Sequence, residues 1–339
     1  MLHEINAILD QLRSDFVKVS GKPFKYFFCP ILWADEDTEL CMGHIVNKAF
    51  QDSAGTCIVQ RKDVDGFYGS VVEADFEILV ASKNKSLDEI IFDPTLNKKI
   101  HPQITVDGKE CKHYTFKGHK PSNHTRVQMQ RNDGAAVEFV LQKSPAEVAT
   151  IEKEKWEFVV ERDYRIPAIA SLIKSAHLTL FHIFGYRYAL SAAGEHIGRH
   201  ILGTFYCQNK GKSAKDVRKA ADAYFCQFAN IVRPVNLVGN TSIRGTIEDN
   251  KVFACYGSSG KPFAIGVFVR TNKHLHCVLV PEFVHLDEVR TYLDFLTNSN
   301  ERLATKLCRY DRTREVWETS KEEPTHILWP KRDKNFIFP

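Results

Sequence analysis

His44 closes a short run with strand character, Leu40-Cys41-Met42-Gly43-His44, and two carboxylates, Asp63 and Asp65, follow about twenty residues later. An imidazole so placed can take a proton from water. Carboxylates at the start of a helix can hold a divalent cation that polarises a phosphate and stabilises the leaving oxygen. Oxygen donors of this kind suit Mg2+ or Mn2+. The elements that must position these groups are legible nearby. Residues 29–76 read as strand, loop, strand, turn and helix, with Val71, Val72, Phe76 and Leu79 on the apolar positions of that helix.

His44-Ile45-Val46, with the small-apolar stretch that follows, resembles the first element of the HNH, or ββα-metal, nucleases. Gln60-Arg61-Lys62-Asp63-Val64-Asp65 with Gly69 resembles their second element, in which an Asn stands four residues before a Gly. The resemblance covers about fifty of the 339 residues. It implies a ββα module that hydrolyses phosphodiester bonds of DNA or RNA with one divalent cation, Mg2+ or Mn2+. It makes His44 the general base and Asp65 the metal ligand, with Asp63 as a second candidate ligand. Asn47, Arg61 and Lys62 are the candidate substrate-binding residues.

Two departures are visible. Gly43 stands where family members carry an acidic residue or His as a ligand. The paired CxxC knuckles are missing, with only Cys29 and Cys41 near the first and Arg61 and Val64 in place of the second, so structural zinc is not expected. Residues 176–190, containing Phe184-Gly185-Tyr186-Arg187-Tyr188, also resemble sequence downstream of the motif in bacterial HNH proteins, and host defence is a setting such proteins suggest. The alternative is an inactive HNH-like protein that binds nucleic acid or regulates. An interaction protein, or a hydrolase using a cysteine, are further alternatives.

Other residues admit both plain and functional readings. Cys29, Cys41 and His44 are either structural or part of a zinc site. His196 and His200 share a helix face at i, i+4 but lack the Glu of the protease motif. His113, His119 and His124 lie among Lys112, Lys117, Lys120 and Arg126, a composition of solvated loops and of phosphate-gripping surfaces alike. The same holds for the basic stretches 210–218 and 309–314. Gly257-Ser258-Ser259-Gly260-Lys261 reads as a hairpin loop.

The composition is that of a globular chain, 43% hydrophobic and 26% charged, and the net charge of +4 permits nucleic-acid binding without demanding it. Nine cysteines without any CxxC pair fit reduced thiols in a cytoplasmic protein. No apolar run reaches the roughly 18 residues of a membrane span, and no secretory leader is evident. A protein partner or a homo-oligomer is compatible with all of this.

The expected fold class is α+β, in four regions. Residues 1–76 hold an amphipathic helix over 1–17 and the ββα-metal-like module. Residues 77–145 are β-rich, with Asp107-Gly108 and Asp133-Gly134 as turn signals. Residues 146–235 are helical: one helix from Ser144-Pro145 to about residue 161, another from Pro167 to a stop at Gly185, and a third capped by Ser213. Residues 236–339 are α+β, with strands near 241–247, 251–256, 263–270 and 274–280 and a helix near 286–296.

Overall fold

The computed structural model describes residues 2–47, 56–74, 165–234 and 281–283, together with the strands between 103 and 327 named below. Two compact units emerge. Residues 1–76 and 165–339 form one, and residues 77–164 form the other. The mixture of helices and small antiparallel sheets is α+β.

The first unit opens with α1 (Leu2–Ser20). Ile5, Leu9 and Phe16 are buried and Leu12 is partly so, the i, i+4, i+7 stripe expected of a helix lying on a core. The short strands β1 (Phe28–Cys29) and β2 (Ala34–Asp35) pair antiparallel. β3 (Leu40–His44) and β4 (Cys57–Arg61) form an antiparallel ribbon in which His44 faces Cys57 and Gly43 faces Ile58. α2 (Lys62–Phe67) starts directly after β4, without the intervening turn expected from sequence, and runs on into a π-helical turn at Tyr68–Glu73. The strand–strand–helix order is present.

In the second unit, β5 (Gln103–Val106) pairs antiparallel with β6 (Lys109–Cys111), the turn expected at Asp107-Gly108 lying outside the described residues, and β7 (Thr125–Gln130) pairs with β8 (Ala136–Leu141). β9 (Trp156–Val159) pairs antiparallel with β5. At 156–159 this replaces the end of the helix expected over 144–161, the rest of which lies outside the described residues. Trp156-Glu157-Phe158-Val159 alternates apolar and polar residues with aromatic and β-branched side chains, which suits a pleated half-buried surface.

The first unit resumes at α3 (Arg165–Phe184), in which every residue from Ala168 to Phe181 is buried. A helix apolar on all sides must be covered on all sides, and α3 packs on the π-helical turn of the module, on the later helices and on the C-terminal sheet. Gly185 ends it at φ +60°. A Cβ there would meet Asp15 Oδ2 at 2.1 Å, the oxygen that accepts from Tyr186 N at 2.7 Å. Tyr186 then packs against Phe16 (centroids 4.8 Å apart) and donates to Phe28 O at 2.6 Å, joining α1, β1 and the end of α3.

Short helices α4 (Tyr186–Ala189) and α5 (Ala192–Glu195) follow. Next come a π-helical stretch at His196–Gly203, α6 (Thr204–Asn209) and α7 (Ala214–Phe225). Ser213 caps α7 as expected, its Oγ accepting from Asp216 N at 3.2 Å. β10 (Val232–Pro234), β11 (Val252–Tyr256), β12 (Pro262–Thr271), β13 (His274–Pro281), β14 (Leu303–Lys306) and β17 (Thr325–Ile327) form an antiparallel sheet, order β10-β13-β12-β11-β14-β17. β15 (Cys308–Asp311) pairs with β16 (Val316–Thr319). β11 and β12 pair antiparallel, and the hairpin loop expected at 257–261 lies outside the described residues.

The boundaries expected at 145 and 235 do not divide the molecule. Residues 165–235 belong with residues 1–76 because the polar groups of α3 find their partners in the module. No described helix is long and apolar enough to cross a membrane. The strand expected at 241–247 and the helix at 286–296 lie outside the described residues.

His177 shows what a buried polar group on α3 requires. Pro30 O can only accept, so Nε2–H donates to it at 3.2 Å and Nδ1 accepts from Tyr188 OH at 2.8 Å. Burial lowers the imidazole from 6.5 to about 4, despite the carbonyl that favours its charge. The unfolded chain therefore takes up this proton near pH 6.5, while the folded chain resists until about 4. Stability is expected to fall across that window by about 3 kcal/mol from this residue and to level off below it. Urea unfolding at pH 7.5, 5.5 and 4.5, compared with His177→Gln, checks this; identical pH slopes in the two proteins would rule it out.

Candidate functional site

Three neighbouring polar residues of α3 reach into the ββα module. Lys174, fully buried, donates from Nζ to Asp65 Oδ1 at 3.1 Å and to Glu73 Oε1 at 2.7 Å. Ser175 Oγ donates to Ile45 O at 2.9 Å, one residue beyond His44, and His177 holds Pro30 O. Burial alone would pull the Lys174 ammonium down. Glu73 and Asp65 outweigh it and hold the pKa above its ordinary value. Two carboxylates against one ammonium leave this cluster with one excess negative charge.

Asp65 lies over the face of the ribbon that carries Cys41 and Gly43. Among the described residues its Oδ2 has only the Cys41 thiol as a hydrogen-bond partner, at 3.9 Å. A Cβ on Gly43 would lie 2.3 Å from Gln60 Nε2 and 3.0 Å from Asp65 Cγ. The absent side chain at 43 is therefore the space that the Gln60 amide and the Asp65 carboxylate share. Gln60 is 4% exposed, and neither its Oε1 nor its Nε2 has a hydrogen-bond partner. A buried polar group left unsatisfied costs about 1–3 kcal/mol, so this amide is an anomaly to be explained rather than ordinary packing.

His44 is half-buried at the end of β3. Strand alternation sets Cys41, Gly43 and their partners Gln60 and Ile58 on one face and His44 on the other, at the end of the ribbon. The His44 backbone pairs with Cys57, and the His44 side chain makes no hydrogen bond to the described residues. Asn47 is placed three residues on and partly exposed.

Asp63, a candidate second ligand from sequence, is occupied otherwise. Its oxygens accept from Arg61 Nε at 3.0 Å, Arg61 Nη2 at 2.8 Å, Tyr206 OH at 2.8 Å and Val64 N at 2.9 Å. The Arg61 bonds hold this carboxyl below its ordinary range, with Tyr206 adding to them against burial. Arg61, a candidate for substrate, is turned inward: its side chain is 8% exposed and also bonds Glu36 at 2.5 Å. Lys62 is exposed and pairs with Glu39 at 2.6 Å.

Burial pushes the thiols of Cys29 and Cys41 up to about 11, with Asp65 adding to the effect at Cys41, so neither is a ready thiolate. No group of three or more His, Cys, Asp or Glu suited to a metal exists among the described residues. His200 lies 3.7 Å from Glu195, and burial lowers His196. His113, His119, His124 and Arg314 lie outside the described residues.

The sequence reading missed Lys174, Glu73, Gln60 and Tyr206. A signal existed for Lys174, since a single lysine inside a helix apolar all round needs carboxylates to meet it. Nothing local marks Gln60.

Comparison of the chain with protein-family models, with curated proteins and with solved structures gives no match.

Proposed function

We propose that the chain is a ββα-type nuclease that hydrolyses phosphodiester bonds of DNA or RNA with Mg2+ or Mn2+. The observation that carries this reading is the polar, negatively charged cluster packed over Gly43, immediately before His44. Asp65 fits a divalent ion: its side chain is 30% exposed, Oδ2 is nearly free, and an unsatisfied amide lies beside it. Asp63 does not fit, because Arg61, Tyr206 and Val64 N already fill its lone pairs.

A divalent ion held by Asp65 would polarise the scissile phosphate and stabilise the leaving oxygen. His44 takes the proton from the attacking water. Lys174 fixes the orientation of Asp65 through Oδ1 and leaves Oδ2 facing Cys41. Exposed Lys210, Lys212, Lys215 and Lys219 offer a track for a phosphate backbone. It joins the module through Tyr206, whose hydroxyl bonds Asp63 and whose ring lies 6.0 Å from the Lys210 ammonium.

A second reading, a nucleic-acid-binding protein without catalysis, is favoured by two observations. Lys174 already supplies a positive charge to Asp65, and strand alternation turns His44 from the Asp65 face. Incubation of the full chain with plasmid, single-stranded DNA and RNA in Mg2+ or Mn2+ separates the two. Cleavage that EDTA stops is the expected result. Binding with steep salt dependence but no cutting of any substrate in either ion would establish the second reading instead.

A further inference from the structure

We infer that Gln60 is the second protein ligand of a divalent-cation site, its Oε1 acting with Asp65 Oδ2; this rests on the nuclease reading above and deepens it. The amide is buried, has no hydrogen-bond partner among the described residues, and ends over Gly43 on the side where Asp65 lies; Nε2 is the atom placed there, and since no partner fixes the orientation of the amide, a half-turn sets Oε1 in its place. Asp65 Oδ2 faces Cys41, and Cys41 is the cross-strand partner of Gln60, so the open oxygen and the unsatisfied amide lie over the same pair of residues. Oδ1 is turned the other way, onto Lys174.

The charges agree with this placement. Glu73 and Asp65 share one ammonium, and the excess negative charge falls on the side where Asp65 is partly exposed. Two neutral or anionic oxygens from the protein, with water completing the shell, is how Mg2+ and Mn2+ are commonly held. Gly43 is then a requirement of the site, because any side chain there would expel the Gln60 amide.

The test is Mn2+ binding by the full chain, read from the loss of the free-ion paramagnetic resonance signal and from the melting temperature with and without Mn2+. Wild type is expected to bind one Mn2+ and to melt higher in its presence. Gln60→Leu is expected to bind roughly tenfold more weakly or worse, since even outer-shell partners of a metal are worth that much. Without Mn2+ it should melt no lower than wild type, because its unsatisfied amide is gone. Gln60→Glu, which adds a charged oxygen at the same place, is expected to bind more tightly.

Wild-type affinity in Gln60→Leu, with binding lost in Asp65→Asn, would overturn the role of Gln60 and leave Asp65 as the ligand. No tightening in Gln60→Glu would also overturn it, and does not depend on how well the leucine variant folds. No Mn2+ binding by wild type would overturn both this site and the nuclease reading.

Discussion

His44→Ala is expected to lower the cleavage rate by roughly 10²- to 10⁴-fold, the range over which a positioned general base contributes, while leaving fold and Mn2+ affinity unchanged. The separation follows from position. His44 sits half-buried at the end of β3, and its side chain makes no hydrogen bond to the described residues that its removal would break. Asp65 lies on the face covered by α2 and is tied to Lys174. Single-turnover cleavage of a labelled duplex, beside a thermal melt and a Mn2+ titration, reads all three quantities. Cleavage at the wild-type rate by His44→Ala would remove the base from the mechanism whatever the fate of the ion.

Lys174→Met is expected to destabilise the first unit by about 3–5 kcal/mol, the effect of removing one partner from a buried ionic cluster. Methionine keeps most of the volume, so the loss comes from leaving Glu73 and Asp65 without their cation. Glu73 is nearly inaccessible to water and carries most of that burden. The double variant Lys174→Met/Glu73→Gln should therefore recover more than half of the loss in urea unfolding. If the double variant is as unstable as the single one, charge is not the cause. The pKa of Lys174 is raised in the folded chain, so the pair's contribution is complete at neutral pH and is lost only as pH rises through that raised value.

The elements that carry the site were legible locally. β3 and β4 were marked as short strands, the end of α3 by Gly185 and the start of α7 by Ser213; the helix expected to carry Val71, Val72, Phe76 and Leu79 begins earlier, at Lys62, and Phe76 and Leu79 lie outside the described residues. What the sequence could not supply was partner choice. Asp63 and Asp65 look equivalent as neighbouring acids in a first turn. One is claimed by Arg61, two residues before it, and the other by Lys174, 109 residues after it. Tyr206 is 143 residues from Asp63. Only the fold decides such pairs, because two carboxylates two residues apart on a helix point in different directions. The strand at Trp156–Val159 was hidden for a similar reason. Its pairing with Gln103–Val106 outweighs the expectation that a helix runs on through these four residues.

The separation in sequence between the module and the residues that complete it has a consequence for synthesis. Tyr68 closes on Leu202 across 134 residues and His177 on Pro30 across 147. At roughly 5–20 residues per second, the ribbon and its helix leave the ribosome on the order of ten seconds before α3 and α6 exist to cover them. During that interval Tyr68 and Val72, buried in the finished protein, have no partner surface, and Asp65 and Glu73 have no ammonium. The nascent N-terminal module is thus an open, acidic, partly apolar surface that must be kept from other chains until its own later segment arrives.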